Sequence, residues 1–171
     1  GVQPLIKRDD MTGVGPGGNK IRSLEFLLGQ AMAQGCDCVL AAGLVYGNAL
    51  LGSPFRIVVV SVEDEAPVLE AHMEAVIRQA EAITGLSCPA PVNRLCTITD
   101  RYRGGGWGMN TPASAAMVET FARQEGLFVE NVYTSKVLVG MEDWVRAGKA
   151  DGPVCFLHTG GFGSLFSQYE G

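Results

Sequence analysis

Lys20 follows Gly17, Gly18 and Asn19 directly. An amine therefore stands at the first turn of an expected helix, just after backbone that can approach a ligand closely. A lysine that is to attack an aldehyde must first lose its proton, and the electropositive end of a helix lowers the cost of the neutral form. The location suits carbonyl chemistry. By itself the four-residue pattern is weak, and it also admits a plain solvated lysine, although that residue would stand against the helix dipole.

Other chemistries find less to work with. The five cysteines, Cys36, Cys38, Cys88, Cys96 and Cys155, lie in apolar stretches. Their odd number suits buried free thiols in a reducing compartment better than a disulfide framework. Cys36 and Cys38 form C-x-C, and the two histidines, His72 and His158, are remote from them in sequence, so no metal site is expected. His72 falls on or beside the apolar face of an expected helix with no acidic or nucleophilic motif attached, so it is expected to pack there rather than to catalyse. A net charge of -5 sets aside nucleic acid and anionic membrane as main partners, and a small substrate fits better. No apolar run reaches the roughly 20 residues that a membrane span needs. Gly1 to Asp10 lacks the basic-then-apolar order of a secretion signal, and a cytoplasmic location is expected.

The elements that must position these residues follow from hydrophobic period. Val2 to Lys7 reads as a short strand, and the backbone-permissive stretch Gly13, Gly15, Pro16, Gly17, Gly18 comes after it. From Lys20 to Gln34, Ile21, Leu24, Leu27, Leu28 and Ala31 recur at helical steps, with Gly35 as a stop. Cys38 to Ala42 is a short continuous apolar run ending at Gly43, the pattern of a strand covered on both faces. Ile57 to Val62 repeats it. Helices are expected at Pro67 to Ile83, about Ala113 to Gln124 and Lys136 to Ala147, with a Pro- and Gly-rich loop before the second of these and a final strand at Val154 to Leu157. Alternating elements with uninterrupted apolar strands indicate an α/β protein with a mainly parallel sheet. Leu44 to Pro54 breaks the rhythm, being too short for the crossover of roughly a dozen residues that a parallel pair needs. Residues are expected to be missing there. The chain opens at Gly1, inside an expected strand, and is expected to be a piece of a longer protein.

Several separate stretches carry a resemblance. Ile6-Lys7-Arg8-Asp9-Asp10-Met11-Thr12-Gly13, then Gly17-Gly18-Asn19-Lys20-Ile21-Arg22 and Leu24-Glu25-Phe26, closely resemble the start of the D-cysteine desulfhydrase and 1-aminocyclopropane-1-carboxylate deaminase family. Val132-Tyr133-Thr134-Ser135-Lys136 and Leu157-His158-Thr159-Gly160-Gly161 resemble its two C-terminal signatures, in the same order. The resemblance implies a three-layer parallel-sheet fold of the tryptophan synthase β-like kind, fold type II among pyridoxal-phosphate enzymes. It implies residues 1–18 and 52–171 as a larger cofactor-binding domain and 19–51 as the truncated start of a smaller one. The implied assembly is a homodimer.

By the same resemblance Lys20 holds pyridoxal 5'-phosphate and later moves the substrate Cα proton. Thr159 falls where a hydroxyl meets the pyridine nitrogen, although a strand-end turn residue would look the same, and His158 beside it packs or caps. Tyr133 matches a tyrosine next to the substrate, where a phenol can hydrogen-bond or move a proton; the plain alternative is a half-buried aromatic at a helix start. Deaminases of the family carry an acidic residue where Thr134 stands, which favours the desulfhydrase side. Trp107 stands where members usually show tyrosine and offers only an N–H donor. With Tyr133 and Thr134 it makes the expected substrate wall. The expected reaction is β-elimination of a small amino acid such as D-cysteine to pyruvate, ammonia and sulfide. The alternatives are a cyclopropane amino-acid deaminase, an L-cysteate-type sulfo-lyase and a non-catalytic remnant that acts as a binding module. A Ser-Asn pair beyond Gly43 and the glycine/threonine loop around the cofactor phosphate are missing from the sequence.

Overall fold

The computed structural model describes residues 4–8 and 36–160. The helix expected at Lys20 to Gln34 lies outside them. Contacts divide the chain into two compact units, one of Gly1–Gly18 with Arg101–Gly171 and the other of Asn19–Asp100. Residues 52–100 are thus grouped with residue 19 onward, whereas the sequence reading groups them with the larger domain.

In the second unit, α1 (Cys36–Leu50) leads to β2 (Ile57–Val60), α2 (Ala66–Thr84), the single turn α3 (Val92–Leu95) and β3 (Cys96–Thr99). The strand expected at Cys38 to Ala42 is part of α1 instead. A short apolar run does not by itself separate a covered strand from a buried helix. What decides is the continuation: Ala42, Val45, Tyr46 and Ala49 are buried at helical spacing, while Gly43 and Leu44 between them face solvent. Gly43, read as a terminator, is an interior helix residue, tolerated at about 1 kcal/mol against alanine. Asn48 closes the following turn by donating from Nδ2 to the Phe55 carbonyl at 2.9 Å and accepting the Phe55 N–H at 3.1 Å.

β2 and β3 pair in parallel with Ile57 opposite Cys96 and Val60 opposite Thr99, and α2 is the crossover between them. β3 falls inside the stretch expected as a Pro- and Gly-rich loop, because Cys-Thr-Ile-Thr offers four residues with one strongly apolar side chain. Ala42, Val45 and Tyr46 of α1, Leu69, Met73, Val76 and Ile77 of α2, and Val92 form one apolar core. The Asp100 carboxylate accepts the Ala66 N–H at 2.9 Å at the start of α2, and Gly85 ends that helix at φ 71, in the left-handed region glycine favours. His72 does not pack as expected. Its side chain is 57% exposed and its Nδ1 lies 3.3 Å from the Asp64 carboxylate, because it falls just off the stripe of Leu69, Met73 and Val76.

The first unit consists of β1 (Pro4–Arg8), α4 (Pro112–Glu125), α5 (Thr134–Arg146) and β4 (Val154–His158). β1 and β4 are parallel, with Pro4 opposite Val154 and Arg8 opposite His158. Their carboxyl ends therefore lie side by side. Val118, Val129, Leu138 and Phe156 make the core, with Phe121 edge-on to Phe156 at 6.2 Å between ring centroids. Thr111 and Ser114 cap α4 reciprocally, each side chain accepting the other's backbone N–H. Among the described residues no helix is long and apolar enough to cross a membrane.

Candidate active site

Ligands of open parallel sheets bind beyond the carboxyl ends of the strands. In the first unit that edge is marked by Arg8 and His158, and the turn Thr159–Gly160 begins there. His158 is buried and its Nε2 is 2.9 Å from the Phe128 carbonyl, while its Nδ1 accepts the Gly160 N–H at 3.3 Å. The histidine is thus a clamp on both sides, tying the end of β4 to the segment that enters α5. Gly160 sits at φ 103, a conformation that side chains rarely adopt. Thr159 is half-buried, and its hydroxyl takes part in no hydrogen bond among the described residues.

The start of α5 is built around Glu130. Its carboxylate is fully buried and accepts the backbone N–H groups of Val132, Tyr133 and Thr134, as well as the Thr134 hydroxyl at 2.9 Å. A carboxylate at a helix N-terminus both fills the orphan donors and meets the positive end of the dipole. Thr134 is buried with its hydroxyl engaged here, and that hydroxyl also accepts the Glu130 N–H at 3.0 Å. Tyr133 is half-buried at the N-cap position, and its phenol oxygen accepts the Trp107 indole N–H at 2.5 Å. The structure therefore brings Trp107 and Tyr133 together although 26 residues separate them. Trp107 is 60% exposed, on the outside of the loop that precedes α4.

Sequence reasoning missed Glu130 and Lys136. Lys136, on the first turn of α5, is 0% exposed, and its Nζ donates to the carbonyls of Arg103 at 2.8 Å and Gly106 at 3.1 Å. Burial pushes its pKa down from the usual lysine range, while the neighbouring Glu130 charge opposes that. Nearby, the Tyr102 hydroxyl donates to the Asp143 carboxylate at 3.1 Å; burial raises the Tyr102 pKa, and the bond to Asp143 raises it further. A signal for Lys136 was present, since a lysine in a first helical turn opposes the dipole and needs a compensating reason. Lys20 lies outside the described residues. Among the described residues no group of three or more His, Cys, Asp or Glu side chains is placed to hold a metal ion.

Comparison with known proteins gives this arrangement a family. Over 48 residues, 28% of this chain and 14% of the relative, the sequence is 60% identical to the "Putative 1-aminocyclopropane-1-carboxylate deaminase" of Pyrococcus abyssi (strain GE5 / Orsay). It is 32% identical over 130 residues, 75% of this chain and 38% of the relative, to a D-cysteine desulfhydrase of Yersinia pestis (strain Pestoides F). The chain thus spans well under half the length of these curated relatives. A crystal structure of an ACC deaminase homologue superposes with a TM-score of 0.76 over 95% of this chain and 87% of that one, at 19% identity, and shows the same fold. The α/β architecture with parallel strands is accordingly that of fold type II. Residues 33–160, more than half of the chain, match the family described as "Pyridoxal-phosphate dependent enzyme", and the chain belongs to that family.

Proposed function

We propose that the protein is a lyase that uses pyridoxal phosphate for β-elimination from a small amino acid such as D-cysteine, giving pyruvate, ammonia and sulfide. The observation that carries this reading is the Trp107–Tyr133 hydrogen bond. It joins two residues that the sequence resemblance assigns independently to the substrate side. D-cysteine desulfhydrases of Klebsiella pneumoniae and Yersinia pestis match over 64% and 75% of this chain. A homodimer in the cytoplasm is part of the same proposal, resting on the family resemblance and the unpaired cysteine count.

Among the described residues, Thr159 fits the pyridine end of the cofactor. Thr159 offers a half-buried hydroxyl beyond a parallel strand with no acceptor or donor taken up among the described residues. For the phosphate, the natural cradles would be helix N-termini. Those of α2, α4 and α5 are already filled by the chain's own oxygens, from Asp100, from Thr111 with Ser114, and from Glu130. When bound, pyridoxal phosphate supplies an electron sink for cleavage at the substrate Cα.

The chain's residues then have distinct tasks. Lys20 is assigned as the amine that holds the cofactor aldehyde and takes the Cα proton. Thr159 would offer the ring nitrogen a neutral hydroxyl, which would not keep that nitrogen protonated as a carboxylate would. Tyr133 presents a phenol, oriented by the Trp107 N–H, to hydrogen-bond the substrate or hand a proton to the leaving group. Thr134, with its hydroxyl turned to Glu130, acts by fixing the backbone that presents Tyr133.

The test is the visible absorption spectrum of the purified protein before and after D-cysteine, with pyruvate and sulfide assayed. Cofactor absorbance that D-cysteine perturbs, with both products formed and with both lost in Lys20→Ala, is the expected result. Turnover that survives Lys20→Ala defeats the mechanism. Absence of cofactor absorbance would favour a binding module without catalysis. The short, high identity to the Pyrococcus protein supports deamination of 1-aminocyclopropane-1-carboxylate as a second reading, recognised by 2-oxobutanoate as product; sulfite from L-cysteate would mark a sulfo-lyase.

A further inference from the structure

Lys136 is an expensive residue to bury. An ammonium held away from water is tolerated only when its donors are met and an opposite charge stands near. Here both conditions hold: Nζ donates to the Arg103 and Gly106 carbonyls, and the Glu130 carboxylate, equally buried, lies on the preceding turn. The two carbonyls belong to one loop, whose next residue is Trp107. Gly106 has φ 116 and Gly104 φ 66, so the loop turns sharply at both points where only glycine is comfortable. At Gly104 a Cβ would meet the Thr111 methyl at 2.8 Å, which leaves the loop no slack toward α4. Tyr102 fastens the loop's other end to Asp143 of α5. The loop is therefore fastened to α5 both at Tyr102 and at its Arg103 and Gly106 carbonyls, and Tyr133 is the N-cap of that same helix.

We propose that Lys136 is a positioning residue that, by pinning the Arg103 and Gly106 carbonyls to α5, sets Trp107 against Tyr133 and so fixes the substrate wall. This rests on the substrate role assigned to Trp107 and Tyr133 above. Lys136 touches no substrate itself. A lysine kept only for stability would couple to Glu130 and not to Trp107.

The experiment uses the holoenzyme in a Trp144→Phe background, where Trp107 is the sole tryptophan of these 171 residues, and compares Lys136→Met, Trp107→Ala and the double variant. Lys136→Met should lower the steady-state fluorescence anisotropy of Trp107 and raise KM for D-cysteine about tenfold, with a smaller fall in kcat. In the Trp107→Ala background the same change should leave KM where Trp107→Ala alone puts it. Gly106→Ala, which strains the loop but leaves Lys136 and Glu130 in place, should reproduce the anisotropy loss and the KM rise, and it decides the matter if Lys136→Met does not fold. Unchanged Trp107 anisotropy in the folded variant, or a KM effect that adds to that of Trp107→Ala, overturns the proposal. If neither D-cysteine nor 1-aminocyclopropane-1-carboxylate is turned over by the unmutated enzyme, the proposed function falls, and the anisotropy comparison still decides whether Lys136 holds the loop.

Discussion

Glu130, Thr134, Ser135, Lys136 and His158, at or near the start of α5 and at the end of β4, make a buried polar interior, whereas Val45 of α1 and Met73, Val76 and Ile77 of α2 belong to a buried apolar one. Both interiors are closed to solvent, but they are held by different physics. The apolar one gains free energy roughly in proportion to area and tolerates small adjustments of shape. The polar one is favourable only while each donor and acceptor is met, so one deletion leaves a group stranded. Asn131 Oδ1 and Ser135 Oγ are buried without a partner among the described residues, and they lie in the polar interior. A chain that keeps such an interior next to Tyr133 and Trp107 gives up easy stability for fixed geometry.

Removing Glu130 is the most severe way to test that contrast. Glu130→Ala strips the acceptor from three backbone N–H groups and leaves Lys136 buried without its nearby opposite charge. A loss of about 3–5 kcal/mol in urea unfolding is expected. A loss below about 1 kcal/mol would show that the network is slack. Met73→Ala in the apolar interior should cost about 2–5 kcal/mol through lost transfer energy and a residual cavity. In the Trp144→Phe background it should leave the Trp107 emission spectrum of the folded protein unchanged, and a shifted spectrum would mean that the two interiors are not independent. Thr111→Ala removes one half of the capping box on α4 and should cost about 1 kcal/mol, read in the same unfolding experiment.

A further effect is a pH dependence that arises in the apolar unit. Burial raises the Cys96 thiol from 9.0 to about 11, and burial raises Cys88 as well. A thiol that ionises more readily when unfolded binds fewer protons in that state. Its stabilising contribution is therefore complete below about pH 9 and is lost as pH rises toward 11. Melting temperature followed across that window should decline, and Cys96→Ala should flatten part of the decline. An unaltered slope would exclude Cys96 as a source.

Legibility varied by element for identifiable reasons. Pro67 to Ile83 was plain because a helical apolar stripe, an early proline and a terminal glycine agree, and α2 runs over Ala66–Thr84. The strands at Ile57 and Val154 were plain because β-branched and aromatic residues run without interruption. Cys38 to Ala42 reads as a strand although it lies in the helix Cys36–Leu50, because its apolar run satisfies strand and helix alike until burial is known. At the candidate site, Trp107, Tyr133, Thr134 and Thr159 are named through the family resemblance. That Thr134 turns inward to Glu130, and that Trp107 meets Tyr133, could not be read there.

The sequence by itself determined the family, the order of its signatures and the residue types able to do the chemistry, since these are properties of local pattern. Tertiary structure alone decided that Glu130 and Lys136 are interior residues and that a loop 30 residues upstream in sequence is fastened to α5 by Lys136. The reason is physical. Whether a charged side chain is solvated or buried depends on what covers it, and the groups covering Lys136 come from the loop that leads into Trp107.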